Sequence, residues 1–295
     1  MSSDLADLHA RLRGYPREPD TRHWGILSDE AAALIKAARE ENNPEAANVG
    51  WHLAMVASAR ATMCSLFAEM RTGEFRSAWG GLEQVEKMVK AIQTNAILND
   101  EFAIDQLGAM VADWQQLYPF TVFASPELII KRQECTICQA AVSPMRPCGH
   151  LPGRVYAGEM CSRRITDCEA VSIALVRDPV QKYSVLIPEV DPHDYARVRF
   201  VLDRLRGPFS RWRLIQTTIL HDHSHFDSWS RDGNCPCHSG SRYADCCALQ
   251  PGVRLPHDQI LFEEPPPADL PEYLLRRRSQ ADGDLEDVPF GPRAA

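Results

Sequence analysis

Between residues 28 and 118 apolar side chains return every three or four positions, the spacing of one helix face. Val56, Ala59, Met63, Leu66, Phe67 and Met70 form one such stripe. Leu82, Val85, Met88, Val89, Ile92 and Ala96 form a second, and Leu107, Met110, Val111, Trp114 and Leu117 a third. A shorter helix over Asp29 to Glu41 precedes them. Asn43-Pro44-Glu45 supplies a cap, a proline at the first helical position and an acidic first turn, while Gly73 and Asn99 mark later breaks. The pattern predicts a four-helix antiparallel domain over 28–130, after an N-terminal arm over 1–27. His52, Cys64 and Met70 lie on or beside the apolar faces and are read as core.

After Tyr118-Pro119-Phe120 the period changes. Val171, Ile173 and Leu175, then Tyr183, Val185 and Ile187, alternate on either side of Arg177-Asp178-Pro179, which predicts a β-hairpin. Asp191-Pro192 opens a helix through Arg206 with Tyr195, Val198, Val201, Leu202 and Leu205 inward, and 212–220 reads as a strand. From Gln250 onward Pro265-Pro266-Pro267, an acidic run and a Gly/Pro-containing end predict a solvated tail over 250–295, in which Leu270 to Arg278 suits a short docking helix. The fold class expected is α+β and multidomain: a helical N-terminal domain, a small zinc-stabilised α+β domain over 131–226 and a C-terminal zinc knuckle over 231–248.

The knuckle rests on Cys235-Pro-Cys237-His-Ser-Gly-Ser-Arg-Tyr-Ala-Asp-Cys246-Cys247, four thiols within thirteen residues. A C-x-C pair, eight residues and a C-C pair can converge on one tetrahedral ion, and zinc accepts four thiolates at ~2.3 Å with no redox demand. The stretch resembles the SEC-C zinc motif, whose pattern is roughly N-x-P-C-P-C-G-S-G-K-K-Y-K-x-C-C or C-H. Asn234, Cys235, Pro236, Cys237, Ser239, Gly240, Tyr243, Cys246 and Cys247 match it. His238 stands where the pattern has its first Gly, Ser241-Arg242 replaces the lysine pair, and Ala244-Asp245 replaces the basic step. The resemblance covers residues 231–248 alone. It implies zinc on Cys235, Cys237, Cys246 and Cys247, and contacts with a protein partner, such as a chaperone or the ribosome.

A second cluster starts at Cys135-Thr-Ile-Cys138, continues with Cys148-Gly-His150 and is followed by Cys161 and Cys168. A C-x2-C turn closed by a later Cys or His pair follows zinc-ribbon logic. The ligands expected are Cys135, Cys138, His150 and Cys161, with Cys148 as the alternative, so five candidates compete for four places. The C-x2-C-x9-C-x-H opening is similar to the first half of a RING finger, but Leu151-Pro152-Gly153 stands where a further C-x2-C is needed. No helix start or βαβ pattern surrounds Cys135 and Cys138, which disfavours a thioredoxin-like role. The loop Pro152 to Glu159 reads as a spacer between ligands.

Net charge, −8 overall, is segregated. Residues 1–130 carry 18 acidic and 11 basic side chains, residues 131–213 carry 9 and 14, and residues 258–295 carry 9 and 4. A basic middle rich in arginine, with Arg197, Arg199 and Arg204 turned away from the apolar helix face, suits an acidic protein patch or RNA. The opening residues have no basic, then apolar, leader pattern, and no apolar run approaches ~18 residues, so a cytoplasmic location without membrane insertion is expected.

The helices lack a paired Glu-x-x-His set, and the chain lacks P-loop, dinucleotide-binding and nucleophile-elbow motifs. His221, His223 and His225 are the one candidate catalytic triplet; on a strand they share a face, with ~6–7 Å between successive Cβ atoms. The expected function is a non-catalytic adaptor with two structural zinc ions, docking on a protein or ribonucleoprotein partner through the knuckle and the basic centre. The alternatives are a metal-dependent hydrolase or nuclease using the histidine triplet with Asp222 or Asp227, and a subunit of a multi-component bacterial system.

Overall fold

The computed structural model describes residues 2–16, 20–186, 188 and 191–265. The architecture is α+β, with six helices and small antiparallel sheets among the described residues. The chain divides into two compact units. One holds Met1–Val198 with Gly207–Phe209, the other Arg199–Arg206 with Ser210–Ala295.

In the first unit α1 (Ser3–Leu12), α2 (Thr21–Glu40), α3 (Pro44–Thr72), α4 (Phe75–Asn95) and α5 (Ile104–Leu117) precede the strands. The central α3 packs against α1, α2 and α4, and is accordingly buried around much of its circumference. Its start follows the expected logic: the Asn43 side chain accepts from Ala46 N at 3.0 Å and Pro44 takes the first turn. His52, Cys64 and Met70 are buried, as the sequence led us to expect.

The N-terminal segment is more ordered than an arm. Leu5, Leu8 and Leu12 are buried, and α2 begins eight residues before Asp29, with Asp20 accepting from Arg22 N at 2.8 Å. The anchor is Arg60, 1% exposed. Its guanidinium donates to Leu12 O, Gly14 O and Phe102 O at 2.8, 2.7 and 2.9 Å, and lies over the Trp24 ring. Burial pulls its pKa down to about 10, still charged at neutral pH. A ten-residue helix is marginal alone; here its C-terminal carbonyls are held by a buried cation.

The strands of this unit are β1 (Phe123–Cys135), β2 (Ala141–Val142), β3 (Val155–Tyr156), β4 (Glu159–Met160) and β5 (Arg163–Val176). β1 therefore begins inside the stretch expected to be helical. β1 and β5 form a long antiparallel ribbon from Phe123↔Val176 to Cys135↔Arg163, with irregularities near Leu128, Lys131 and Thr166. This corrects the expected hairpin about Arg177-Asp178-Pro179: the partners of this stretch are Ala124 to Glu127, far upstream on β1. Residues 182–184 form a 3₁₀ turn, Val185 makes a single bridge to Phe123, and Ile187 lies outside the described residues. Alternation identified β5 as a strand, but alternation carries no information about which strand it pairs with.

An aromatic cluster fixes the root of the ribbon to the helices. Trp79 meets Tyr118 and Phe120 with ring centroids 5.1 Å apart, and Phe75 stacks on Tyr195 at 4.5 Å. Beside it Lys182 donates to Glu86 at 2.7 Å and to Gln115 at 2.6 Å, and its carbonyl accepts from Trp79 Nε1.

In the second unit β6 (Trp212–His221) pairs antiparallel with β7 (Val253–Phe262), from Trp212↔Phe262 to His221↔Val253. Residues 253–262, expected in a solvated tail, are thus a strand, and Val253, His257 and Asp258 are buried. The remainder of the tail, including Leu270 to Arg278, lies outside the described residues. The unit boundary falls within α6 (Ala196–Arg204), shorter than the helix expected from Asp191 to Arg206. Val198, Val201, Leu202 and Leu205 are buried as expected, but Arg204 is too, at 7% exposure. Its guanidinium lies 3.6 Å from the Phe200 ring centroid and donates to Phe200 O, so it is not part of an exposed basic face. No helix among the described residues is long and apolar enough to cross a membrane.

Glu86 links pH to the stability of the first unit. Burial works to raise its pKa, but donation from Lys182, Lys90 and Gln115 outweighs burial and holds it at about 2, below its ordinary 4.5. Its contribution is complete above 4.5 and is lost as pH falls towards 2. Glu86→Gln is expected to cost about 1–2 kcal/mol at pH 7 and to flatten the acid limb of stability between those values, measured by urea unfolding at each pH.

Candidate metal centres

Each ladder carries a cysteine cluster in the connection between its strands. In the first unit the connection is 136–162. Cys135 ends β1 opposite Arg163, and a tight turn follows, with Gln139 N donating to Cys135 O at 2.8 Å and Cys135 N to Ala140 O at 3.0 Å. Cys148 and His150 flank Gly149, whose φ of +87° is readily available only to glycine and brings Cys148 Sγ within 3.9 Å of His150 Nδ1. Ligand atoms of Cys135, Cys138, Cys148 and His150 all lie within 4.8 Å of one another. Cys161, one of the four expected ligands, lies outside that group but only 3.7 Å from Cys135 Sγ. Cys148, the alternative, is inside it. Cys168 is exposed in mid-strand on β5.

Two residues outside the expected ligand set complete the surroundings. Arg163 donates to His150 O at 2.6 Å and approaches Cys161 Sγ at 3.5 Å and Cys148 Sγ at 3.9 Å, which offsets thiolate charge. The Tyr156 hydroxyl accepts from Leu151 N at 2.9 Å, and its ring meets His150 edge-on. Burial raises the Cys135 pKa, but the N–H groups of Cys138 and Ile137 and the Cys148 and Cys161 thiols outweigh it and bring it to about 6. Burial and neighbouring Cys135 push Cys161 up.

The loop 152–159 is more than a spacer. Asn95 on α4 donates to Gly153 O at 2.8 Å and accepts from Val155 N at 3.0 Å; Arg154 donates to Thr94 O. Asn48 accepts from Gly158 N at 2.8 Å, and Arg39 donates to Ala157 O at 2.7 Å. The β3–β4 turn is thereby latched to α2, α3 and α4. At Gly158, φ is +75° and a Cβ would stand 2.7 Å from Ile35 Cγ2 and 2.9 Å from Ala47 O.

In the second unit the connection is 222–252. Cys235 N donates to Ser241 O and His238 N to Cys235 O, so the C-x-C pair sits on a tight turn. His238 has φ +60°, in the left-handed region that glycine adopts most readily. A 3₁₀ turn at Tyr243–Asp245 and another at Cys247–Leu249 bring the second pair back. The four sulfurs of Cys235, Cys237, Cys246 and Cys247 lie within 4.8 Å of one another, with Cys237 and Cys246 3.7 Å apart. Four thiolates at ~2.3 Å from one ion stand about 3.7–3.8 Å from each other, so the Cys237–Cys246 pair already has the spacing of a tetrahedron edge. Cys235 and Cys247 pack with Tyr243 and Val253 in a small core that Phe226 and Leu255 extend.

The histidine triplet does not share a strand face. His221 ends β6, whereas His223 and His225 lie in a 3₁₀ turn capped by Asp222. His223 Nε2 lies 2.8 Å from Gln250 O and Nδ1 lies 2.6 Å from the Tyr243 hydroxyl. A carbonyl can only accept, so Nε2 carries the proton; Nδ1 then accepts from Tyr243. The ring braces the knuckle and has both nitrogens committed. Among the described residues the two cysteine clusters are the groups with metal-binding spacing.

Comparisons with protein-family models, curated proteins and solved structures each find no match. The chemistry of this chain is therefore read from its own geometry.

In the knuckle, burial pushes Cys247 up to about 12 and raises Cys235. Burial opposes ionisation of Cys237 as well, but Ser239 and the Cys235 thiol outweigh it and bring it to about 6. Protons compete with a metal for thiolates, so affinity falls as pH falls. Below about 6 Cys237 joins that competition. The slope of log affinity against pH is expected to steepen by about one there, measured by chelator competition with zinc. Gly158→Ala is expected to weaken the latch, by roughly 1–3 kcal/mol of unfolding free energy, with faster amide exchange at residues 153–159.

Proposed function

We propose that this chain is a zinc-binding, non-catalytic interaction protein with two structural zinc ions. Its knuckle, which resembles the SEC-C motif, is read as the surface that docks on a protein or ribonucleoprotein partner. One observation carries the reading: two separate clusters each bring four soft ligand atoms within 4.8 Å of one another. Soft thiolates at tetrahedral spacing favour zinc over the hard, oxygen-seeking cations. Four protein ligands leave no open position for a substrate or activated water, which separates structural from catalytic zinc. All ten cysteines are free thiols, which suits a reducing, cytoplasmic compartment.

In the second unit Cys235, Cys237, Cys246 and Cys247 hold the ion. In the first, Cys135, Cys138, Cys148 and His150 fit best, with Cys161 beside Cys135 as the fifth candidate. The hydrolase reading has less support, because His223 is engaged by Tyr243 and Gln250. The basic contribution to docking is narrower than charge counting implied: Arg204 is buried, Arg164 pairs with Glu134 at 2.8 Å, and Arg211 with Glu263 at 3.5 Å.

Elemental analysis of the full chain, purified without added metal, is expected to find two zinc ions, with one lost in Cys237→Ser and the other in Cys138→Ser. His150→Ala is expected to weaken zinc retention more than Cys161→Ser. Partner capture should fail for Cys237→Ser and survive in Cys138→Ser. One zinc, iron in place of zinc, or metal-dependent hydrolysis lost with His221→Ala, overturns the reading.

A further inference from the structure

The β1–β5 ribbon is amphipathic although it lies open on both faces. Directly opposed residues in an antiparallel pair project to the same face. Three successive pairs on one face are Pro126↔Ile173, Leu128↔Ala170 and Ile130↔Cys168, with no charge among them. Leu175, opposite Ala124, continues that face. Ile173 and Leu175 are 72% and 69% exposed, and Leu128 and Ile130 are close to half exposed. Several of the ribbon's charges are engaged within it: Lys131 pairs with Glu169 at 2.9 Å, Arg164 with Glu134, and Ser172 donates to Glu127 at 2.9 Å.

Such a ribbon is incomplete by itself. Two strands with no third layer are marginal in water. The apolar side chains here offer on the order of 500 Å², at the upper end of what monomers expose, and with their backbone and flanks they approach the roughly 800 Å² per partner of a standard interface. An uncharged face has nothing to repel its own copy across a twofold axis, and an isologous contact needs only one self-complementary patch.

We infer that this face is a homodimer interface, in which two copies of the chain stack their ribbons apolar face to apolar face. The packed faces lie ~10 Å apart, as sheets do in a sandwich. The occupant is a second copy because the face offers shape and apolar area but no charge with which to select a polar or nucleic-acid ligand. The inference is independent of the metal reading: the ribbon pairs lie outside both clusters.

Sedimentation velocity of the full chain at about 1–100 μM tests it, with dimers expected at a dissociation constant on the order of 10 μM or tighter. The double variant Ile173→Glu/Leu175→Glu should weaken association by roughly 100-fold. Both side chains are mostly exposed in the single chain, so metal content should hold, while the melting temperature should lose its dependence on protein concentration. Leu128→Lys, on the other strand, should weaken association by roughly tenfold and serves if the double variant folds poorly. A wild-type chain that is monomeric throughout the range overturns the inference, whether the face is then covered by a foreign protein or by another part of the same chain. So does a dimer that both variants leave intact.

Discussion

A connection of about thirty residues with almost no apolar core does not stay folded because two strands pair at its ends. Both units face that constraint and meet it in the same way. The β1–β5 ladder terminates at Cys135 and Arg163, and the β6–β7 ladder at His221 and Val253. Each ladder brings the ends of its connection together, and a cluster of thiols gathers what lies between. Loop-closure entropy grows only slowly with length, so the ladder settles most of it. What lies between is a short excursion whose own hydrophobic content is small: Val142 with two cysteines in one case, Tyr243 and Val253 with two in the other.

Gathering four thiols is electrostatically unfavourable unless their surroundings receive charge. In both clusters one sulfur titrates near 6 while a buried neighbour is pushed up. Donors from the adjoining turn select that sulfur: N–H groups of Cys138 and Ile137 for Cys135, the Ser239 side chain and N–H for Cys237. Arg163 adds a full positive charge beside the first cluster. His223 does different work, bridging Tyr243 to Gln250 and tying the knuckle core to the residues that lead into β7. Contacts of this kind orient the ligands wherever such a cluster holds a metal.

The helical unit uses a buried cation where the others use thiols. Arg60 satisfies three carbonyls from two distant segments, so α1 and the turn before α5 are both fastened to the middle of α3. The latch at 152–159 extends the same body to the first cluster. Disruption at Gly158 is therefore transmitted to the ligand-bearing connection through hydrogen bonds to Asn95, Asn48 and Arg39.

Local pattern determined a good deal. The 3.6-residue period located α3, α4 and α5, the Asn43-Pro44 cap located the start of α3, and cysteine spacing named the four knuckle cysteines and five candidates for the first cluster, with Cys161 preferred to Cys148. Those signals are legible because each depends on residues close together in the chain. Tertiary structure decided what depends on distant partners. Strand alternation in β5 said nothing of β1, and β7 was hidden in a proline-rich, acidic context. Leu5, Leu8 and Leu12 were too short a stripe to stand alone without Arg60. The grouping of Cys148 with Cys135, Cys138 and His150, the diversion of His223 to Tyr243, and the burial of Arg204 against Phe200 are likewise three-dimensional outcomes. Spacing limits which side chains can meet, and only the packed chain selects which of them do.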